Sequence, residues 1–223
     1  MTKKILLILA ILFSTLSYSQ LTDANFQQAV DECLATNPED GLCTNSEYGI
    51  MPDWNVSKVT DMDRAFDGRD VFNVDISNWD VSNVTNMSSM FINATSFNQP
   101  LNNWNVSNVT NMFQMFTIAS VFNQDLNSWD VSSVTNMSSM FFYATSFNQS
   151  LNNWDISSVI NMQEMFSYSS LSTDNYDGVL NSWSQQDVIS GVILRAIGVN
   201  YCNGEDARQN LIDTYGWIIT DDG

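Results

Sequence analysis

Residues 101–125 read LNNWNVSNVTNMFQMFTIASVFNQD, and close variants of this string lie on both sides of it. Valine or isoleucine follows two residues after the tryptophan of each copy, methionine eight residues after it and phenylalanine twelve residues after it. The spacing is 25 residues at every step through Trp54, Trp79, Trp104, Trp129 and Trp154. A fixed period of this length is typical of proteins in which similar units stack on one another.

Two hydrophobic spacings occur within each unit. Trp104 and Val106 alternate with polar residues, as in a strand with one buried face. From Val109 to Ala119 the apolar residues fall three and four positions apart, as in a helix, and Thr110 is placed to cap that helix. The sequence therefore predicts an α/β solenoid of about five 25-residue units, each made of a strand, a turn, a short helix and a loop. The five tryptophans are predicted to form its structural core.

Two strings in the repeat resemble known families. The pattern L-x-x-W-x-V at residues 101–106 is similar to the L-x-x-L-x-L strand of a leucine-rich repeat, which makes the predicted fold leucine-rich-repeat-like. The strings NVTNMSSMF at residues 83–91 and FNQPLNNW at residues 97–104 resemble the BspA-type surface-protein repeats, also known as the DUF285 family. This resemblance covers roughly residues 52–183. It implies a bacterial surface or secreted protein, in a family of which some members are linked to adhesion and to host or matrix binding. It does not imply an enzyme, and it indicates no particular ligand.

The first residues predict export. Two lysines precede a short apolar run at residues 5–13, and small polar residues follow, which is the pattern of a secretory signal peptide at residues 1–19. The remaining chain is predicted to divide into an N-terminal helical cap (20–51), the repeat solenoid (52–183) and a C-terminal cap (184–223). We expect a secreted or cell-surface protein with no transmembrane segment after signal cleavage, because no later stretch is apolar enough to span a bilayer.

The charge of the chain excludes one class of partner. Without the predicted signal peptide the chain carries 25 acidic and 5 basic side chains, a net charge of −20. Between Trp79 and Leu171 there is no lysine or arginine. Such a surface repels phosphate backbones and anionic membranes, so nucleic acid is excluded as a partner. An extracellular protein or a glycan is the expected partner, bound by a monomer.

The residues that most catalytic sites need are missing. The sequence has no histidine, which removes the commonest general base and the commonest zinc ligand. It also lacks a nucleophile-elbow motif, a glycine-rich phosphate loop and a C-x-x-C pair. We therefore predict that the protein is not an enzyme and uses no cofactor. No metal site is predicted either, although the sequence leaves calcium binding open, since one carboxylate per turn is sparse for six or more ligands.

The three cysteines are assigned differently. Cys33 and Cys43 lie ten residues apart and are predicted to form a disulfide in an oxidising compartment. Cys202 is left over. It is either buried as a small apolar residue or paired elsewhere.

A polar column beside the tryptophans is the predicted binding surface. If the strands stack in parallel, one exposed sheet face carries Asp80, Asn103, Asn105, Asp130, Asn153 and Asp155. The predicted function is adhesion-type binding of a protein or glycan by this polar, acidic face. The alternative is a structural surface or spacer protein without a specific ligand, in which the same side chains only stabilise the stack.

Overall fold

The computed structural model describes residues 18–223. The predicted signal peptide lies outside the described residues, apart from its last two positions. Within the described part there are three α-helices and two strands. They are α1 (Phe26–Thr36), α2 (Thr173–Trp183), β1 (Ile193–Ala196), α3 (Glu205–Tyr215) and β2 (Ile218–Asp221), with a 3-10 helix at Met51–Asp53 before the tryptophan repeats.

The predicted α/β leucine-rich-repeat-like solenoid is wrong. The described residues consist mostly of turns and irregular segments, their α-helices lie before residue 54 or after residue 172, and their sheet is a single parallel pair, β1 with β2. Between residues 54 and 172 there is neither a helix nor a strand, but only isolated parallel bridges such as Asn86 with Asn111 and Asn111 with Asn136. The units of strand, turn, short helix and loop are therefore absent.

Successive tight turns replace the predicted helix. In the segment after Trp79, backbone N–H groups repeatedly donate to the carbonyl three residues earlier, as from Met90 to Met87 and from Ile92 to Ser89. Ser89 and Asn93 adopt left-handed backbone conformations, with φ of 54° and 59°. A left-handed residue prevents a helix from continuing. Turns of this kind still bring residues three positions apart to the same side, which is why the spacing resembled that of a helix.

The turns are joined along the stack by backbone hydrogen bonds. The N–H groups of Phe91 and Asn93 donate at 2.9 Å to the carbonyls of Met115 and Thr117 in the next period. The carbonyl of Met90 accepts in turn from Phe66 of the preceding period, also at 2.9 Å. Peptide groups in this row therefore point the same way, carbonyl backward and N–H forward, so their dipoles add along the stack as in a helix.

The C-terminal segment ends this row of donors. The N–H groups of Phe166 and Tyr168 have no further repeat to bond to, and they donate instead to the carbonyls of Arg195 and Ile197 in and beside β1. The parallel strand β2 then pairs with β1, with Ile193 opposite Ile218. The C-terminal residues thus satisfy backbone groups that the last turn would otherwise leave open.

Aromatic columns fill the core. Phe66, Phe91, Phe116, Phe141 and Phe166 stack in one column with ring centroids 5.4–6.1 Å apart. The five predicted core tryptophans are at most 4% exposed. The indole N–H groups of the four from the second onward each donate to a carbonyl 28 residues earlier, as from Trp154 to Leu126 at 2.9 Å. Each tryptophan therefore links its own turn to the preceding one.

Side chains hold the C-terminal segment in place. The buried Asp177 carboxylate accepts from the backbone N–H groups of residues 202–204 at 2.8–2.9 Å. Arg208 pairs with Asp221 at 2.9 Å, and the hydroxyl of Tyr176 donates to the same carboxylate. Burial, followed by the charge of Asp221, raises the pKa of Tyr176 well above its usual value. These contacts join α2, α3 and β2.

Two of the three cysteines are bridged. Cys33 and Cys43 form a disulfide with Cα atoms 5.2 Å apart, which joins α1 to the loop that follows it. Cys202 is exposed and belongs to no disulfide in the described part of the chain.

None of the described helices combines the length and apolar character needed to cross a bilayer.

Candidate functional site

The predicted polar column does not lie on a sheet. Asp80, Asn105, Asp130 and Asp155 are exposed, but each side chain bonds to the residue two positions further on. Asp80 accepts from the backbone N–H of Ser82 at 3.2 Å and from its hydroxyl at 2.6 Å. Such bonds close local turns around Asp and Asn residues. The column therefore has a defined role in the turns themselves.

These turn bonds also fix the charge of two carboxylates. The hydroxyl of Ser82, followed by its N–H, lowers the pKa of Asp80 below its ordinary value. The corresponding serine lowers the pKa of Asp130 in the same way. Neither carboxylate lies in a group suited to a metal, since no cluster of three or more acidic or cysteine side chains with that geometry occurs among residues 18–223.

The remaining two predicted residues are exposed as well. Asn103 and Asn153 each directly precede a buried tryptophan. The backbone N–H of Asn153 donates to the side-chain oxygen of Asn127 in the preceding turn at 3.0 Å. The turns thus bring the six predicted residues into stacked, exposed positions, but much of their hydrogen-bonding capacity serves the stack.

A second surface shows no comparable structural role. We name it the aromatic ridge and define it as Ile118, Phe142, Tyr143 and Tyr168. Ile118, Tyr143 and Tyr168 are 38%, 43% and 42% exposed. The two tyrosine rings stack with centroids 4.6 Å apart, and the ring of Phe142 stands edge-on to Tyr143 at 4.7 Å. The three aromatic rings are therefore in mutual contact at the surface, and Ile118 lies one turn earlier in the same column as the two tyrosines.

Three ridge residues also have an unfavourable backbone conformation. Ile118, Tyr143 and Tyr168 have φ angles of 60°, 54° and 60°. The left-handed region costs an L-residue about 1–2 kcal/mol, and a β-branched residue such as isoleucine is a clear outlier there. The equivalent positions in the first two units are held by Gly68 and Asn93, the residue types that tolerate this conformation.

The hydrogen bonds between turns explain why the conformation is kept. The N–H of Ile118 donates to the carbonyl of Phe142 at 2.8 Å, and that of Tyr143 donates to Ser167 at 3.1 Å. The stack therefore imposes the left-handed backbone on any residue at this position. It does not require the side chain to be large or apolar, since Gly68 and Asn93 occupy the same position. The backbone of the stack therefore does not determine the large side chains of the ridge.

Sequence reasoning missed the ridge because it searched for columns that repeat. The position fourteen residues after each tryptophan holds Gly68, Asn93, Ile118, Tyr143 and Tyr168 in turn. This column departs from the repeat while the tryptophan, methionine and phenylalanine columns keep it. A search for apolar residues that break a surface column would have found it.

A surface cleft lies near the disulfide. It has a volume of about 460 Å³, and its lining includes Glu32, Glu47 and Tyr48. Glu47 already accepts a hydrogen bond from the hydroxyl of Ser19 at 3.0 Å. The cleft is polar and open, and no catalytic or metal-binding grouping converges on it.

The periodic stack with its exposed ridge defines a protein built from repeated turns. A family model described as "Mycoplasma protein of unknown function, DUF285" matches residues 42–141 and again residues 107–192. Together these matches cover well over half of the chain, which belongs to the DUF285 family. No curated protein matches the chain, and no solved structure does.

Proposed function

We propose that this protein is a secreted or cell-surface binding protein that takes an extracellular protein or glycan as its partner. Its repeats resemble those of BspA-type bacterial surface proteins, and we propose the same adhesion-type role here. The chain would act as a monomer after removal of residues 1–19, without catalysis and without a cofactor. The signal-peptide pattern and the Cys33–Cys43 bridge support export, because disulfides persist in oxidising compartments.

The aromatic ridge is the observation that carries this proposal. Large exposed apolar groups gain little from folding, and contiguous ones mark interaction surfaces more often than chance. In the ridge they coincide with a left-handed backbone at Ile118, Tyr143 and Tyr168. That backbone recurs at the same position of every unit, so the exposed side chains, and not the strain, single out the ridge. We therefore propose the ridge as the binding surface, in place of the polar column that the sequence suggested.

A structural spacer is the competing function, and the polar column favours it. Asp80, Asn105 and Asp130 use their side chains to close turns, as a protein selected only for a stable stack would use them. A spacer, however, does not need large apolar residues at the ridge, since Gly68 and Asn93 hold the same position in the first two units. Binding by the ridge and a structural role for the polar column are thus compatible within one molecule.

A direct binding experiment tests the proposal. The full chain would be expressed with its leader, recovered from the medium or cell surface, and applied to immobilised matrix proteins and a glycan array. The test variant replaces Tyr143 and Tyr168 by serine. The matched control is Ile160→Thr, which removes another exposed apolar side chain (62% exposed) and restores the threonine found at that position in the four earlier units.

We expect retention on at least one surface by the wild type and by Ile160→Thr, with loss in the double tyrosine variant. Equal retention by all three proteins would show that the ridge is not the binding surface. Absence of binding on every surface by folded protein would support the spacer function, and recovery of the chain only from the cytosol would contradict export.

A further inference from the structure

We propose that the aromatic ridge binds a basic polypeptide, one that places an apolar or aromatic side chain on the ridge and flanks it with lysine or arginine. This inference rests on the proposed binding function and names the class of its partner. Three observations favour a polypeptide over a glycan and a basic one over an acidic one: the geometry of the rings, their free hydroxyl groups, and the charge of the chain.

The ring geometry closes one face of each ridge tyrosine to a partner. The rings of Tyr143 and Tyr168 are stacked with an interplanar angle of 26°, so each covers one face of the other. The ring of Phe142 lies at 82° to Tyr143 and 74° to Tyr168, which fills the space beside them. A sugar ring that packs on an aromatic residue needs an open face. Protein side chains pack against ring edges as readily as against faces.

The ridge hydroxyls are available for a partner. Tyr176 and Tyr215 donate their hydroxyl hydrogens within the fold, to Asp221 and to the carbonyl of Gln186. In the described residues the hydroxyls of Tyr143 and Tyr168 make no such bond. An apolar ring with a free polar tip is what makes tyrosine frequent at the centre of protein interfaces.

The charge of the chain selects a basic partner. Residues 79–171, which include the whole ridge, contain five acidic side chains and no basic one. Arg195 lies at the end of the stack next to Tyr168, but it is paired with Glu164 at 2.8 Å. In the described part of the chain, residues 79–171 therefore offer no cation that could hold a carboxylate or sulfate beside the ridge. The net charge of the exported chain, −20, steers cationic partners toward it.

The probes that test this inference are a displayed library of random peptides and an array of neutral glucans, mannans and xylans. Selection is run on the full folded chain, and the enriched peptides are synthesised for affinity measurements. The comparison proteins are the Tyr143→Ser/Tyr168→Ser double variant and Ile160→Thr. Circular dichroism and thermal unfolding establish that each variant is folded before it is used.

We expect the enriched peptides to be net positive and to share an apolar or aromatic position. Their affinity should fall at least about tenfold in the double tyrosine variant and remain unchanged in Ile160→Thr. Between about 0.1 M and 1 M salt the Debye length falls from about 10 Å to 3 Å, so we also expect roughly tenfold weaker binding at the higher concentration.

The other outcomes separate this inference from the proposed function. Enrichment of neutral or acidic peptides, or binding that is insensitive to salt, overturns the basic partner but leaves a binding protein. Capture of a neutral glycan through the tyrosines, without peptide enrichment, does the same and assigns a sugar ligand. If folded protein binds neither probe, and matrix proteins also fail to bind, both the inference and the binding function fall.

Discussion

Two buried tryptophans differ in one hydrogen bond, and the same substitution at each should have different effects on stability. Trp154 and Trp183 are both 0% exposed, and each lies near a phenylalanine ring, with centroids 6.5 Å and 6.2 Å apart. The indole N–H of Trp154 donates to the carbonyl of Leu126 at 2.9 Å. The indole nitrogen of Trp183 has no partner within the described residues. The pair Trp154→Phe and Trp183→Phe therefore isolates the contribution of that bond.

The expected difference can be worked out from these contacts. Both substitutions remove a similar volume from the core, so the cost of the smaller side chain is shared. Trp154→Phe also loses a hydrogen bond. The cost of that loss is only about 1 kcal/mol, because the Leu126 carbonyl still accepts from the backbone N–H of Trp129 and is not left unpaired. Trp183→Phe removes a buried donor without a partner, which relieves about 1 kcal/mol. Trp154→Phe should be the more destabilising by about 2 kcal/mol.

Chemical and thermal unfolding measure this difference. Guanidinium unfolding followed by circular dichroism avoids the change in fluorescence that the substitutions cause. In a chain of this size a difference of about 2 kcal/mol corresponds to about 4–8 °C in Tm. Equal unfolding free energies, or a larger loss for Trp183→Phe, would refute the assignment of the indole bond as a link between turns. Trp129→Phe, which also breaks an indole bond, should behave like Trp154→Phe.

Two further predictions concern the disulfide and acid sensitivity. Replacing Cys33 and Cys43 together by serine should lower the free energy of unfolding by about 3 kcal/mol, because the bridge restricts the unfolded chain by closing a loop. Calorimetry should show this loss, whereas Cys202→Ser should leave the stability unchanged. An unchanged Tm in the double variant would contradict the prediction. The lowered pKa values of Asp80 and Asp130 contribute stability that is fully present above the ordinary value of 3.8 and is lost as the pH falls through the folded pKa. At pH values below about 3.8 the Tm should therefore fall with the pH. The fall should be less steep when the partner serines, Ser82 and Ser132, are replaced by alanine. Parallel pH profiles of Tm for the wild type and this variant would rule the prediction out.

The period and its buried columns could be read from the sequence, whereas the conformation within a period could not. A fixed spacing of Trp79 and Trp104 requires equivalent positions, and both side chains are buried. The spacing from Val109 to Ala119 suits a helix, but successive turns satisfy it equally. The composition favoured turns, since serine, threonine and asparagine are weak helix formers that bond to nearby backbone. Only the left-handed residues, such as Gln114 and Ile118, distinguish the two, and their φ angles are not visible in a sequence.

The strand predicted around Trp104 is absent for a related reason. Alternation of apolar and polar residues around Trp104 predicts one buried and one exposed face, and the burial pattern does alternate. However, the side chain of Asn105 bonds to Ser107, and the N–H of Trp104 donates to the carbonyl of Leu101. These local bonds bend the chain into turns. A strand needs those backbone groups for a neighbour, so the polar residues that seemed free for a ligand are the ones that shape the backbone.

In a stacked protein the positions that repeat report on stability, so the departures from the repeat are the better guide to function. Exposure alone does not identify them, as Ile160 shows. It is 62% exposed where the earlier units have threonine, yet its backbone is outside the left-handed region and its N–H still donates to Thr135. Ile160 therefore costs little and needs no explanation. Tyr143 and Tyr168 combine exposure, a left-handed backbone and mutual contact, and the stack requires neither ring, since Gly68 and Asn93 hold the same position. We propose binding of a partner as the reason for the exposed rings.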